Sequence, residues 1–249
     1  MKNPLAVLIF ATVALTPSSR ADVEPATSDA VGTWLHEITM RAAANGQERA
    51  GAASRGHGRY RILSIDDLEA PEAVKAHFRQ QFRDRAPGVT RVSPEAIPSR
   101  RELATSLPRT HWSNEVLRHR LPAPPTVLAG TLLEGAQVIG MAPSGVMEGN
   151  SASGLTRWFH VPHLGTVALT EENFRASGME IDVLAESLNA VVNGRPARLE
   201  LQEDGRGRAQ ASLAWASQDK AFSLSAVGEG DAATLGRALQ AIATALIDG

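Results

Sequence analysis

The sequence predicts an α+β fold, with a helical N-terminal part and, in the C-terminal half, an antiparallel β-meander covered by a C-terminal helix. Three observations predict this fold. Apolar residues recur every three or four positions near the N-terminus, short β-prone runs joined by turn residues fill the C-terminal half, and a last apolar stripe has helical spacing. A meander closed by one helix is the simplest way to bury both apolar faces.

The N-terminal third alternates helices with short connections. Apolar residues from Val31 to Ile38 lie three and four positions apart, which predicts a helix over 29–45. Residues 60–65 (YRILSI) predict a short strand, and apolar residues spaced by four predict a second helix over 71–85. The proline-rich segment that follows predicts short helices and turns.

The middle of the chain carries the first strand signals. Two β-prone runs, 127–133 and 136–141, predict a hairpin, and the Gly/Ser-rich stretch 142–154 predicts a loop. Two more short strands are predicted at 157–161 and 166–169, joined by a turn that contains proline and glycine.

The C-terminal third has the clearest pattern. Asn193-Gly194 lies between two β-prone runs and predicts a two-residue hairpin turn. Strands are predicted at 209–215 and 221–227, each with one buried face, because their apolar residues alternate. Apolar residues at spacings of four and three then predict a helix over 231–247.

One pattern in this third has a known counterpart. Trp215-x6-Phe222-x-Leu224, followed by an apolar helix, resembles the sheet-plus-helix modules of bacterial envelope and anti-sigma-factor sensor domains. The resemblance implies a shared topology and identifies no single family.

The first residues have the three regions of a secretory signal peptide. A positive charge at Lys2 precedes the apolar run 5–16, and Ser19-Arg20-Ala21 forms a small-x-small cleavage sequence. The apolar run has about a dozen residues, whereas a bilayer-spanning helix needs about 20. We therefore expect residues 1–21 to be a signal peptide that is cleaved after Ala21. We also expect the mature chain to be periplasmic or secreted and to contain no transmembrane segment.

Composition divides the mature chain into two regions. Residues 22–120 form a helix-rich basic region, residues 126–249 form the sheet and the C-terminal helix, and the proline-rich segment 121–125 is the predicted linker. Between positions 41 and 120 there are 15 Lys/Arg against 9 Asp/Glu, whereas from 121 onwards there are 8 against 14. The two regions can equally form one continuous domain.

This charge distribution limits the classes of partner. The mature chain is acidic overall, which excludes a globally basic nucleic-acid binder. Ordinary charge complementarity between the regions explains the asymmetry, and a basic face for an anionic envelope partner is the alternative.

The chain contains no cysteine. Disulfides, thiolate metal ligands, a cysteine nucleophile and lipid attachment at a cysteine are therefore excluded. The fold must be stabilised by its core alone.

The strongest enzyme signatures are missing, namely a serine nucleophile elbow, a phosphate-binding loop, a zinc-binding helix and a dinucleotide fingerprint. Serines in the stretch 142–154 and a nearby histidine pair could still support acyl transfer, with Glu148 or Glu171 orienting the histidine. The candidate catalytic residues are Ser144, Ser151, His160 and His163. Two histidines do not make a zinc site, which needs three or four ligands, so we predict no metal and no cofactor.

Ser217 and Lys220 have the Ser-x-x-Lys spacing of penicillin-recognising enzymes. The companion motifs of those enzymes are missing, so a polar hairpin turn is the better interpretation.

A basic and aromatic cluster is the best candidate for a binding surface. It combines cations with a tryptophan, a composition suited to an anionic glycan, a lipid head group or an acidic protein face. Its members are Arg109, His111, Trp112, Arg118, His119 and Arg120. The alternative is that the tryptophan belongs to the core and the arginines line a solvated helix face.

Two functional hypotheses follow. The first is a non-catalytic periplasmic binding or accessory protein for a protein or anionic envelope ligand. The alternative is a metal-independent periplasmic hydrolase with a Ser/His site in the region 144–163. Whether the protein is an enzyme stays open at this point, and the first hypothesis is favoured because catalytic motifs are missing.

Overall fold

The computed structural model of the chain describes residues 8–9, 30–38, 40, 58–84, 88–108 and 112–246. The chain forms two compact units, and both are discontinuous in sequence. The first unit comprises Met1–Pro87 and Phe174–Leu188, and the second comprises Gly88–Asn173 and Asn189–Gly249. The proline-rich segment 121–125 lies inside the second unit, and the domain boundaries drawn from composition stay predictions.

We number helices and strands in chain order. The described residues contain six α-helices, which are α1 (30–38), α2 (Glu72–Asp84), α3 (Arg100–Ser106), α4 (Asn114–Arg120), α5 (Phe174–Ser177) and α6 (Ala232–Ala245). The strands are β1 (Leu8–Ile9), β2 (Arg59–Leu63), β3 (Thr90–Val92), β4 (Gln137–Glu148), β5 (Ser151–Val161), β6 (Gly165–Asn173), β7 (Glu180–Leu184), β8 (Ala190–Val192), β9 (Arg195–Asp204), β10 (Arg208–Ala216) and β11 (Lys220–Glu229). The predicted α+β class is confirmed.

The first unit contains a small parallel sheet in which β2 pairs with one edge of β7, and β1, from the predicted signal peptide, pairs with the other edge. Trp34 of α1 and Phe78 of α2 meet edge to face with ring centroids 6.0 Å apart, and the indole N–H of Trp34 donates to the carbonyl of Glu69. Around this contact, the buried side chains of this unit include a cluster of Val31, Trp34, Ile65, Val74, Phe78 and Leu184. The predicted strand at 60–65 and the predicted helix over 71–85 are confirmed, and the described part of the predicted helix 29–45 is helical.

The second unit is built on an eight-stranded mixed sheet. Seven strands follow the order β3-β9-β10-β11-β6-β5-β4, and β8 pairs with β9 beside β3. Among the strands of this sheet that the structure describes, only β3 runs parallel to its neighbour. Helix α6 packs on one face, where Leu235, Leu239 and Ile242 join the core that Leu213 and Leu224 form.

The turns of the C-terminal third form as predicted. Asn193 and Gly194 have φ angles of 50° and 76°, the left-handed values that a type I′ turn requires at both central positions. Asp231 begins α6 by accepting hydrogen bonds from the backbone N–H groups of Ala233 and Thr234. Residues 216–220 also form the predicted polar turn, since the Ser217 hydroxyl accepts from the Lys220 N–H.

The predictions for the middle of the chain are partly wrong. Residues 129–135 form turns rather than half of a hairpin, and the predicted loop 142–154 is mostly strand, because β4 runs on to Glu148 and β5 begins at Ser151. Proline and glycine suggested a loop here, yet β4 is the last strand of the sheet and tolerates Pro143, as edge strands do. The register shift after Ser144 is a bulge that contains Gly145, whose φ is 73°.

Candidate binding cavity

The second unit has a cavity on the sheet face that α6 does not cover. His160, Thr166 and Val227 lie side by side on β5, β6 and β11, because His160 pairs with Thr166 and Thr166 pairs with Val227. Their strand neighbours Val161 and Val167 belong to the core on the opposite face. Alternation along each strand therefore directs the three side chains away from α6.

The turn between β5 and β6 closes one end of this cavity. His163 has a φ of 67° and Gly165 a φ of 85°, so the chain turns through two left-handed residues. Histidine is one of the residues that tolerates this region comparatively well. A Cβ atom on Gly165 would lie 2.4 Å from the Val227 carbonyl oxygen, and one on Gly228 would lie 2.5 Å from the Leu164 oxygen. The turn and β11 thus pack backbone against backbone.

Helix α3 and the residues before it form another wall. Ser99 and Glu102 form a capping box, in which the Glu102 carboxylate accepts from the Ser99 N–H at 2.7 Å and the Ser99 hydroxyl accepts from the Glu102 N–H.

The cavity has a volume of about 350 Å³, which lies in the size range of small-molecule sites. Its ionisable lining residues are Arg100, His160, His163, Arg208 and Glu229.

Arg208 is the most constrained of these groups. Its Nε donates to Asp204 Oδ2 at 2.6 Å, and its Nη2 donates to the Pro94 carbonyl. The Asp204 carboxylate also accepts from the backbone N–H groups of Arg206 and Arg208. The guanidinium is therefore held in place, and its Nη1 has no hydrogen-bond partner among the described residues.

The structure brings together only part of the predicted catalytic set. His160 and His163 line the cavity, whereas Ser144 lies opposite Gly154 and Ser151 begins β5. Gly154 and His160 are six residues apart on one strand, a separation of about 20 Å at the usual rise per residue. No serine–histidine pair therefore forms from these four residues.

The predicted basic and aromatic cluster is only partly described. Arg109 and His111 lie outside the described residues. The Arg120 guanidinium lies over the Trp112 ring, 5.0 Å from its centroid, as a cation–π pair. Arg118 and His119 are exposed on α4, while Leu117 is buried on its other side.

Sequence reasoning missed three of the ionisable residues that line the cavity. Arg100 stands in a short helix, and Arg208 and Glu229 stand at strand ends, where they face each other across the β10–β11 pair. The signal available for Arg208 is Asp204-Gly205-Arg206-Gly207, which has the composition of a turn stabilised by its aspartate. Nothing in the sequence pairs that turn with His163.

A second group of charged residues lies buried at the other end of the sheet. Arg157 Nη2 donates to Glu171 Oε1 at 2.7 Å, and Lys220 Nζ lies 3.3 Å from Glu171 Oε2. Thr126 donates to the Glu171 carboxylate through its N–H and its hydroxyl. The Thr126 carbonyl accepts a hydrogen bond from Arg157, and the Pro124 carbonyl accepts one from Lys220. The proline-rich segment is therefore bound to this charge cluster, and burial lowers the pKa of Arg157 while the Glu171 charge opposes that effect.

A buried carboxyl group lies next to this cluster. The Ser153 hydroxyl donates to Glu172 Oε1 at 2.9 Å and accepts from the Val146 N–H at 2.8 Å. Burial raises the pKa of the Glu172 carboxyl, and its hydrogen bonds from Ser153 and Val146 offset part of that rise. Nearby, the Ser144 hydroxyl is buried with no hydrogen-bond partner among the described residues.

We expect Glu172→Gln to stabilise the protein at neutral pH. Because the pKa of Glu172 is raised in the folded state, the stability that its protonated form contributes is present at low pH and is lost as the pH rises through the raised pKa. Glutamine keeps an uncharged group there. The stability difference between variant and wild type should therefore grow with pH between the ordinary glutamate pKa and the raised pKa of the folded state, and level off above it. Urea unfolding at a series of pH values measures it, with the exposed Glu95→Gln as control, and parallel stability curves would contradict the prediction.

Comparison with protein-family models, curated protein sequences and solved structures finds no match for this chain. Within the described residues, no helix has the length and apolar character needed to cross a bilayer. The same residues include no group of three or more His, Asp or Glu side chains placed to hold a metal ion.

Proposed function

We propose that this chain is an exported, non-catalytic binding or accessory protein that holds an envelope ligand in the cavity beside α3. One observation carries the proposal. The cavity combines apolar walls with several polar side chains, and the side chains of Arg100, His160, His163 and Glu229 have no hydrogen-bond partner among the described residues. Small-molecule sites typically have this composition, a mostly apolar concave surface with a few polar groups that orient the ligand.

Export is the second part of the proposal, and it depends on the sequence alone. The N-terminal residues have the order of regions that signal peptidase recognises, with the cleavage sequence at Ser19-Arg20-Ala21. The hydrolase hypothesis is not favoured, because the strand register keeps Ser144 and Ser151 away from both histidines. A binding site needs no such pair.

Native mass spectrometry of the protein purified from periplasmic extract tests both parts. We expect a chain that begins at Asp22 and carries a non-covalent adduct. Thr166→Phe should abolish the adduct, because Thr166 lines the cavity and a phenyl ring would project into the space above the sheet that the ligand occupies. Val191→Phe is the control, since Val191 is 64% exposed and lies outside the cavity.

Three outcomes would contradict the proposal. A mass that includes residues 1–21 would contradict export. A wild-type chain without any adduct would contradict binding of an envelope ligand, and an adduct that survives in Thr166→Phe would place the ligand elsewhere.

A further inference from the structure

We propose that the cavity binds a small molecule with one anionic oxygen group, a carboxylate or a phosphate, on an apolar body. This inference rests on the proposed binding function and adds the class of ligand.

Arg208 supplies a preorganised donor. Its side chain is only 17% exposed, and Asp204 and the Pro94 carbonyl hold two of its three nitrogens. An arginine fixed in this way loses little conformational entropy when it binds an anion, and its planar group suits carboxylate and phosphate oxygens. The remaining nitrogen, Nη1, is available to a ligand in the cavity.

Arg100 supplies a second cation from another element. It stands at the start of α3, and its side chain is exposed with no partner among the described residues. Its neighbour Arg101 is exposed on the same helix but does not line the cavity. The two arginines therefore differ in position while their charge and helical setting are the same.

The lining also contains apolar side chains, which suit the hydrocarbon body of a ligand. Pro98 and Leu103 belong to the α3 wall, Pro162 to the β5–β6 turn, and Val227 to the sheet floor. A fully charged or strongly hydrated ligand would leave these side chains without apolar contact, whereas an amphipathic ligand removes them from water.

Glu229 limits the number of anionic groups. It faces Arg208 across the β10–β11 pair and lines the same cavity. Two arginines and one acid line the cavity, and Asp204, which is not part of the lining, already pairs with Arg208. Arg100 is therefore the lining arginine whose charge no bound carboxylate compensates, which suits one anionic group and disfavours a second. Removing the Glu229 carboxylate should strengthen the binding of an anion, because the repulsion between like charges is lost.

Four probes with the same six-carbon chain test the inference: hexanoate, hexyl phosphate, hexan-1-ol and hexylamine. Calorimetric titration of the purified protein should show binding of one or both anions more tightly than of the alcohol or the amine. Arg100→Gln should weaken anion binding about fivefold or more, as expected for loss of a charge-assisted contact. Glu229→Gln should strengthen it about two- to threefold, and Arg101→Gln should leave it unchanged.

The probes separate a wrong ligand class from a wrong binding site. If hexan-1-ol binds as tightly as the anions and Arg100→Gln has no effect, the anionic class is overturned while binding in the cavity stands. If none of the probes binds, the ligand class is also overturned, and the Thr166→Phe experiment decides the binding function by itself. Opposite effects of Arg100→Gln and Glu229→Gln on the anions, reversed for hexylamine, would support the inference, because general damage to the fold would weaken all probes together.

Discussion

Glu171→Gln should lower the free energy of unfolding by about 3–5 kcal/mol, the usual cost of removing one partner from a buried ion pair. The Glu171 side chain is 5% exposed and is the anion that Arg157 and Lys220 share. Glutamine keeps the shape but leaves two buried cations side by side. The glutamine amide also has one acceptor oxygen, whereas the two oxygens of the Glu171 carboxylate accept from Thr126, Arg157 and Lys220.

Two further variants sharpen this prediction. Lys220→Met should cost less than Glu171→Gln, because it leaves Arg157 and Glu171 as a neutral pair. Glu95→Gln should change stability by no more than about 1 kcal/mol, since the ion pair between Glu95 and Arg206 is exposed. Urea unfolding followed by circular dichroism measures all three, and equal losses for Glu171→Gln and Glu95→Gln would show that the buried cluster contributes nothing to stability.

Gly165→Ala should destabilise the protein by about 2–5 kcal/mol and abolish ligand binding in the cavity, because left-handed strain and steric overlap add together. The φ of Gly165 is 85°, and a Cβ atom would lie 2.4 Å from the Val227 carbonyl oxygen. Backbone atoms cannot rotate away as a side chain can. The turn that carries His163 must therefore move away from β11.

Two other glycines separate these contributions. A Cβ atom on Gly194, whose φ is 76°, meets nothing within 4 Å, so Gly194→Ala should cost about 1–2 kcal/mol from backbone strain alone. Gly205 has neither a positive φ nor a close neighbour, and Gly205→Ala should leave stability equal or up to about 1 kcal/mol higher. Thermal unfolding of the three variants measures this order, and a Gly165→Ala variant no less stable than Gly194→Ala would contradict the close approach at Val227.

The C-terminal third shows how far local patterns determine structure. Asn193-Gly194 forms the predicted turn, and Asp231 begins the predicted helix. Both depend on interactions within a few residues, so the sequence contains all the information they need. The predicted loop over 142–154 was wrong because glycine, serine and proline favour a loop locally, whereas the position of β4 at the sheet edge accommodates them in a strand.

The cavity and the buried charge cluster could not be derived in the same way. Arg100, His163 and Arg208 are far apart in sequence. The register of β5, β6, β10 and β11 brings the His163 turn and Arg208 to one cavity, and α3 adds Arg100 to the same lining. The register also separates Ser144 from His160, although the two residues are only sixteen positions apart in the sequence.

Composition and short-range periodicity suffice to predict the α+β class, the absence of cysteine chemistry, the C-terminal hairpins and the helix that follows them. Tertiary structure alone decided which polar side chains share a cavity and which charges are buried. It placed the proline-rich segment 121–125 against Lys220, where sequence suggested a linker, because a buried lysine needs acceptors and the Pro124 carbonyl provides one. Pairings between distant strands arise from packing of the whole sheet, and no local pattern encodes them.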